Sequence, residues 1–377
     1  MALKDVHVSD IPSLDIVQES PCFSNESPCF SNGVELKVPK FVVIGHRAHG
    51  MNALQSIDRR MRAIKENSIM SFNAATNFPI DFIEFDVQVT NDDCLVIFHD
   101  YFILSQENGI VFEKRITELC LFELLAYGPQ REGQKDGKVL DRKTKDGKIV
   151  QWEVEKDDPR CTLEEAFLKV EPSLGFKIEL KFDDHILYDQ DYLAHVLKAI
   201  LKVVFDLAKD RPIIFSTFQP DVASIIKKLQ SSYPVFFLTN EGCEIFEDEK
   251  RNSLEEALKL CLENGLQGIV TEIKGVFINP GVVTKIKESE ISLITYGSLN
   301  IVLEAVYMQH LMGIDGVIVD LVQEITETIA NLITSTMVVD EEVLTKGVGK
   351  LQLHSKPKFS HLELSFLLKL IPQLIHI

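Results

Sequence analysis

Two acidic side chains lie two residues apart in an otherwise apolar segment, FIEFDV, at residues 82–87. Because side chains alternate along a β-strand, Glu84 and Asp86 would point to the same face of such a strand. Two carboxylates on one face repel each other unless a cation lies between them, and their hard oxygen atoms suit Mg²⁺ or Ca²⁺. A solvated strand edge is the alternative, which burial in this apolar segment disfavours. The pair therefore indicates a metal site.

Three other segments end in polar groups of matching chemistry. His46 and Arg47 follow FVVIG, His99 ends LVIFH, and Glu179 and Lys181 lie two apart in GFKIELK. Glu179 could supply a third carboxylate to the metal, and the two histidines could act as general acid and base. The metal and the two cations would neutralise charge that develops on phosphoryl oxygens. Each member alone would more often be structural or solvated, but together they predict metal-assisted phosphodiester chemistry.

The elements that must position these groups are short, apolar and rich in Val, Ile and Phe, as strands buried on both faces are. Helix-like stretches separate them, and the alternation over about 280 residues predicts a parallel sheet with helices outside. Roughly eight units predict a closed, TIM-type (β/α)8 barrel of the α/β class, whose strand C-termini face the active-site mouth. A doubly wound open sheet is the alternative, but no GxGxxG follows the first strand. The strand segments are residues 41–45, 82–87, 95–99, 175–180, 212–218, 235–239, 268–272, 291–297 and 316–320.

Nine segments are one too many for eight units, and the excess lies in EFDVQVTNDDCLVIFHD, residues 84–100. About seven residues separate its two apolar runs, too few for a parallel crossover, so we expect an antiparallel hairpin near the second strand. A two-residue turn would place His99 opposite Asp86 on one face. A slip of one residue would place His99 opposite Phe85 on the other face. Asp100 either orients His99 or only ends the strand.

The remaining segments predict the domain organisation. Residues 40–325 form the barrel, with a charged insertion at about 128–160 that carries the only tryptophan, Trp152. We favour a solvated excursion for this insertion over a lid that contacts substrate. Residues 1–39 are expected to be a disordered tail containing a duplicated ESPCFSN, and residues 326–377 a C-terminal extension that docks or is disordered.

Composition limits the classes of partner and compartment. The net charge of −18 lacks the basic footprint of a nucleic-acid-binding protein, so we expect no nucleic-acid partner. No stretch is apolar enough to span a bilayer. Seven scattered cysteines without a CxxC pair suit a reducing compartment. The N-terminus lacks an apolar signal segment and is acidic, so we expect a cytoplasmic protein, with the plastid as the alternative.

Five motifs together carry a family resemblance: GHR, then EN at residues 66–67, then EFD, FHD and IELK. Their order resembles the glycerophosphodiester phosphodiesterase family, and KENSIMSFN and FPIDFIEFDVQVT resemble its plant and fungal branch. The resemblance runs from about residue 41 to residue 322. It implies a TIM-type barrel, a divalent metal, and hydrolysis of glycerophosphodiesters to sn-glycerol 3-phosphate and an alcohol. It assigns the acid–base pair to His46 and His99, substrate binding to Arg47, Lys181 and Asn67, and metal binding to Glu84, Asp86 and Glu179.

The chain departs from this family pattern at Ala48, where the family usually has glycine after His-Arg. A methyl group there would be costly if the position needs a positive φ or a close approach to phosphate. Two alternatives stay open from the sequence. One is a lysophospholipase D, using the same chemistry on an acylated glycerol, and the other is a catalytically silent barrel that binds phosphodiesters.

Overall fold

The computed structural model describes residues 41–107, 109–131, 137–144, 146–184, 186–240, 245–246 and 248–329. The predicted N-terminal tail with its duplication lies outside these residues, as do residues 330–377 of the predicted C-terminal extension. Residues 322–329 are helical.

The strands of the described residues form two sheets. In chain order they are β1 (Val42–Gly45), β2 (Phe82–Val89), β3 (Leu95–Ile97), β4 (Phe102–Glu107), β5 (Ile110–Arg115), β6 (Asp141–Lys143), β7 (Ile149–Gln151), β8 (Gly175–Leu180), β9 (Ile213–Thr217), β10 (Val235–Thr239), β11 (Gly268–Glu272), β12 (Ser292–Tyr296) and β13 (Gly316–Val319). Each of the nine predicted strand segments contains a strand.

The helices follow most of the barrel strands. They are α1 (Ile69–Ala75), α2 (Leu121–Leu125), α3 (Leu163–Lys169), α4 (Gln190–Leu207), α5 (Pro220–Leu229), α6 (Leu254–Asn264), α7 (Ile273–Ile278), α8 (Gly281–Glu288) and α9 (Leu303–Leu311). Among the described residues, a helix with the length and apolarity needed to cross a membrane does not occur.

Eight parallel strands close on themselves. The order is β1-β2-β8-β9-β10-β11-β12-β13, and β13 pairs in turn with β1, so that the first and last strands meet at a seam. Because every neighbouring pair in this ring is parallel, the helices must cross over outside it. The predicted (β/α)8 barrel is confirmed, and the open-sheet alternative is wrong.

Side-chain alternation decides which residues the barrel interior receives. Ile44, Ile214, Val270, Ile294 and Ile318, each from a different strand, pack in one cluster inside the ring. Residues next to them along the strands, such as Ile213, Ile269 and Leu293, pack outward against the helices. The residue two positions after an inward residue also points inward, at the C-terminal end of the strand. By this rule, the residues two positions after the inner apolar layer point into the barrel mouth.

The hairpin of β2 and β3 is antiparallel, as expected, but the register that brings His99 opposite Asp86 is wrong. Gln88 pairs with Val96, which extrapolates to Phe98 opposite Asp86. The turn has three residues rather than two, because Thr90 pairs with Cys94 and Asp93 adopts a left-handed φ of 58°. His99 nevertheless lies beyond the end of β3, so strand register does not fix the direction of its side chain.

The expected charged insertion is part of a larger folded unit. Strands β4 to β7 form a four-stranded antiparallel sheet in the order β5-β4-β6-β7, which begins well before residue 128. Its core includes Phe98, Ile103, Leu140 and Trp152, and Trp152 is only 4% exposed. The expectation of a solvated excursion is therefore wrong for Trp152. The small sheet packs on the segment that carries His99.

Candidate active site

The loop after β1 is a tight turn that holds His46 and Arg47 at the barrel mouth. A Cβ on Gly45 would lie 1.9 Å from the carbonyl oxygen of Ala48, so this turn requires glycine at position 45. Arg47 and Ala48 have φ values of 48° and 79°, a backbone region that non-glycine residues rarely adopt. The methyl group of Ala48 is fully buried in the cluster between barrel and helices. The methyl group therefore fills space in the core. The φ of Ala48 is nevertheless positive, which is the condition under which the family's usual glycine would be favoured.

His46 is held by an aspartate from the last strand end. Its Nδ1 lies 2.7 Å from Oδ1 of Asp320, which also accepts a hydrogen bond of 2.9 Å from the backbone N–H of Met51. Burial disfavours the imidazolium, but the charge and hydrogen bond of Asp320 outweigh it and raise the pKa of His46. Asp320 was not among the predicted site residues. The sequence could have identified it, because Asp320 ends the last strand segment and a closed barrel places that strand beside the first.

Three predicted metal ligands come together on β2 and β8. Glu84, Asp86 and Glu179 each offer an oxygen atom, and these atoms lie within 4.8 Å of one another. The three side chains are 3%, 1% and 9% exposed. Oδ1 of Asp86 has no hydrogen-bond partner in the described part of the chain, and Lys181 Nζ is 3.7 Å away. A buried carboxylate oxygen without a hydrogen bond, among other carboxylates, fits a divalent cation with oxygen ligands.

Crowding of these carboxylates separates their pKa values. Burial, and then the charge of Asp86, raise the pKa of Glu84. Burial also opposes ionisation of Asp86, but His99, Lys181 and Arg47 outweigh it and lower the pKa of Asp86. Without a cation, Glu84 is therefore the carboxylate that retains a proton most readily, and cation binding would have to displace that proton.

Three further predicted residues surround the carboxylates. Arg47 donates its backbone N–H to Glu84 Oε2 at 2.9 Å and its Nη1 to Glu66 Oε1 at 2.6 Å. Lys181 Nζ lies 3.3 Å from Glu179 Oε1. Asn67 donates from its side-chain amide to Asp86 Oδ2 at 2.9 Å. The EN motif therefore contacts both a predicted phosphate contact and a predicted metal ligand.

His99 lies in a bend that Gln88 anchors. The Gln88 side chain donates to the carbonyl oxygens of Phe98 and Asp100 at 2.7 and 2.9 Å. Nδ1 of His99 lies 2.8 Å from Oδ1 of Asp100, so Asp100 orients His99. Burial, followed by the charges of Arg47 and Lys181, lowers the pKa of His99 against the opposing effect of Asp86 and Asp100. The pKa values of His46 and His99 are thus shifted in opposite directions.

A lysine that the sequence analysis did not single out lies on the same inner face. Lys177 pairs with Glu84 across β2 and β8, is fully buried, and donates from Nζ to Ser216 Oγ at 2.7 Å. Its signal was the alternation in KIELK, which puts Lys177 on the face of Glu179. The buried carboxylates therefore have an ammonium group in the layer beneath them.

Comparison with known proteins identifies the family of this barrel. The model of the glycerophosphoryl diester phosphodiesterase family matches residues 46–324. The chain belongs to this family. As a member it is an enzyme that hydrolyses glycerophosphodiesters, which removes the catalytically silent alternative. The family match covers every residue that the sequence assigned to the site.

Two relatives from Arabidopsis thaliana are similar along the whole chain. Glycerophosphodiester phosphodiesterase GDPD1, chloroplastic, is 59% identical and covers 100% of this chain and 99% of its own. Glycerophosphodiester phosphodiesterase GDPD2 is 57% identical, with 100% of both chains covered. The resemblance to the plant branch is therefore confirmed.

Solved structures of more distant sequence share the fold. A glycerophosphodiester phosphodiesterase from Parabacteroides distasonis has a TM-score of 0.54 at 19% identity, covering 78% of this chain and 98% of its own. An Oleispira antarctica phosphodiesterase, solved with the product sn-glycerol-3-phosphate, has a TM-score of 0.53 at 18% identity and covers 77% and 96%. These likenesses support the barrel architecture.

Proposed function

We propose that the enzyme cleaves its phosphodiester by metal-assisted acid–base catalysis, with His46 and His99 as the proton-transfer residues. The observation that carries this proposal is the pair of anchored histidines beside the carboxylate cluster. In each histidine an aspartate holds Nδ1, Asp320 for His46 and Asp100 for His99. Nε2 is then the ring nitrogen left to exchange a proton with substrate or water.

Glu84, Asp86 and Glu179 would hold the cation. Their donor set consists only of oxygen, which suits Mg²⁺ or Ca²⁺ rather than a metal that prefers sulfur or nitrogen. When bound, the cation would neutralise negative charge on the phosphoryl oxygens. Arg47 and Lys181, whose side chains lie beside the same carboxylates, would bind the phosphate. Asn67 holds Asp86 through its amide nitrogen, which leaves its Oδ1 for substrate.

The opposite pKa shifts support one division of the two proton-transfer roles. The pKa of His46 is raised, which favours its protonated form, so His46 would protonate the leaving oxygen. The pKa of His99 is lowered, which favours its neutral form, so His99 would accept a proton from the nucleophile, either water or the 2-hydroxyl of the glycerol. The sequence alone left this assignment open.

The proposed products are sn-glycerol 3-phosphate and an alcohol. The names of the Arabidopsis relatives specify glycerophosphodiesters, and fungal relatives at 28% identity are named glycerophosphocholine phosphodiesterases. These names support a water-soluble diester over the lysophospholipid of the alternative. Turnover of lysophosphatidylcholine above that of glycerophosphocholine would favour the alternative.

The decisive experiment measures release of glycerol 3-phosphate from a panel of glycerophosphodiesters with Mg²⁺, Ca²⁺ or EDTA. We expect turnover with one of the cations and its loss in EDTA. Substitution of His46 or His99 by Ala should abolish turnover while the far-UV circular dichroism stays unchanged. Turnover retained in EDTA would refute the metal, and turnover retained in either variant would refute the role of that histidine.

We also propose that the enzyme acts in the plastid, the alternative to the cytoplasm. The support is the word chloroplastic in the name of a relative that is 59% identical over the whole chain. A fluorescent protein fused to the C-terminus of the full chain should coincide with chlorophyll fluorescence in leaf cells. Diffuse cytoplasmic fluorescence would support the cytoplasmic prediction instead.

A further inference from the structure

We propose that Arg142, from strand β6 of the small sheet, is a positioning residue that connects the supports of His99 and Arg47. The small sheet would then be part of the catalytic unit. This inference rests on the proposed roles of His99 and Arg47.

The contacts of Arg142 join two carboxylates from different parts of the barrel. Its Nη2 lies 2.8 Å from Oδ1 of Asp100 and 3.1 Å from Oε1 of Glu66. The same Asp100 oxygen contacts His99, and the same Glu66 oxygen accepts from Arg47. One guanidinium nitrogen therefore holds both residues that orient the proposed base and the proposed phosphate contact.

The guanidinium itself is fixed from two further sides. Its central carbon lies 4.0 Å from the ring centroid of Trp152, and its Nη1 donates to the carbonyl oxygen of Asn52 at 3.4 Å. The Trp152 Nε1–H donates to Asn52 Oδ1 at 3.0 Å. Asn52 Oδ1 also accepts from the backbone N–H of Glu66 at 3.1 Å. Arg142, Trp152, Asn52 and Glu66 therefore form one connected network.

Electrostatics make this connection hard to replace. The Arg142 side chain is 13% exposed and that of Glu66 is 1% exposed, so solvent screens the pair little. Loss of the Arg142 guanidinium would leave Arg47 as the only guanidinium contact of Glu66 in the described residues. Asp100 would keep its contact with His99. Within this part of the chain, each carboxylate would then keep one side-chain partner instead of two, and its side chain would reorient around that partner. Arg47 and His99 would then shift from the positions that the proposed chemistry requires.

The test measures kcat and KM of Arg142→Met and of wild type at saturating cation, with the glycerophosphodiester concentration varied. Because Arg142 does not touch the reacting atoms, we expect kcat to fall by about 10- to 100-fold, as for residues that orient primary ligands, with a smaller change in KM. The His99 limb of the pH–rate profile should move to higher pH, since Asp100 would act on His99 without its second cation. Arg142→Lys, which keeps the charge near both carboxylates, should recover part of kcat.

A matched control is Arg131→Met in the same insertion, because that arginine is 49% exposed and pairs with Glu165 on α3, away from the histidines. It should keep the wild-type kcat and pH profile. If Arg142→Met does not fold, Arg142→Gln, which keeps a polar group and loses the charge, provides the same comparison. A Met or Gln variant with wild-type kcat and pH profile would overturn the inference.

His99→Ala separates this inference from the proposed chemistry. If His99→Ala is inactive while the Arg142 variants match wild type, only the positioning role of Arg142 fails. If His99→Ala remains active, the proposed role of His99 fails, and the positioning role fails with it.

Discussion

Nδ1 of His46 lies 2.7 Å from Oδ1 of Asp320, although the two residues are 274 positions apart in the chain. His46 follows the first barrel strand and Asp320 follows the last. The pair therefore sits at the seam where β13 meets β1, and it exists only in a closed barrel. Its chemical effect is to raise the pKa of the proposed general acid, which favours the protonated form.

Asp320→Asn should change the alkaline side of the pH–rate profile. Asp320 raises the pKa of His46, so its neutralisation lowers that pKa and deprotonates the proposed acid at a lower pH. The alkaline limb should move down by about one pH unit. Profiles of kcat/KM for wild type and variant measure the shift. Asp100→Asn serves as the comparison, and an unmoved alkaline limb in Asp320→Asn would contradict the assignment of His46 as the acid.

Glu84→Gln should stabilise the protein without metal and abolish its response to metal. The raised pKa of Glu84 means that the folded state holds this proton more tightly than the unfolded state does. Wild-type stability is therefore lost as pH rises through that pKa. Glutamine does not ionise, so the variant does not lose this stability as pH rises. In EDTA at neutral pH we therefore expect its free energy of unfolding to exceed that of wild type by about 1–3 kcal/mol.

Urea unfolding in EDTA, with and without added Mg²⁺ or Ca²⁺, measures these differences. Glu66→Gln is the matched control with the opposite sign. Although burial opposes it, Arg142 and Arg47 lower the pKa of Glu66, so removal of this charge should destabilise the protein at neutral pH. A cation that stabilised Glu84→Gln as much as wild type would exclude Glu84 as a ligand.

Ala48→Gly should have little effect on activity or stability. The φ of 79° costs alanine about 1–2 kcal/mol, which glycine avoids. Glycine in turn loses about 0.8 kcal/mol of methyl burial and about 0.4–1 kcal/mol through the entropy of the unfolded chain. We expect a net change in unfolding free energy below about 1 kcal/mol and a kcat close to that of wild type. A large rise in kcat would show that the Ala48 methyl group impairs the wild-type enzyme.

Trp152→Phe should destabilise the loop around Asn52. Phenylalanine keeps an aromatic ring beside Arg142 but removes the Nε1–H that Asn52 Oδ1 accepts. We expect a loss of about 1–2 kcal/mol in the free energy of unfolding, measured by circular dichroism in urea. Phe112→Leu on the exposed side of the small sheet is the control. An unchanged unfolding curve for Trp152→Phe would show that Asn52 does not depend on this hydrogen bond.

The sequence predicts the barrel and the gathering of its polar strand ends well. Hydrophobic segments predicted all nine strands of the larger sheet, but none of the four strands of the small sheet. The rule that parallel strands present their C-termini at one mouth put Glu84, Asp86 and Glu179 together. Side-chain alternation is a strict consequence of strand geometry, so pairs such as Glu179 and Lys181 needed no further information.

What the sequence did not predict depends on backbone angles and long-range contacts. The left-handed φ of Asp93 lengthens the hairpin turn, and Asn and Asp tolerate such angles too widely for the sequence to specify which residue adopts one. Arg142 stands in a charge-dense stretch with no periodic pattern. Its partners, Glu66 and Asp100, are fixed only by tertiary packing.

The seam between the first and last strands has a consequence for protein synthesis. A ribosome releases His46 early, but the aspartate that contacts its imidazole and raises its pKa emerges only after 273 further residues, as the 274-position separation requires. A chain that ends between residues 182 and 319 holds every proposed metal ligand and both histidines, yet it lacks the aspartate that holds His46. Hydrolysis should therefore begin only when the last strand has closed the barrel and brought Asp320 to His46.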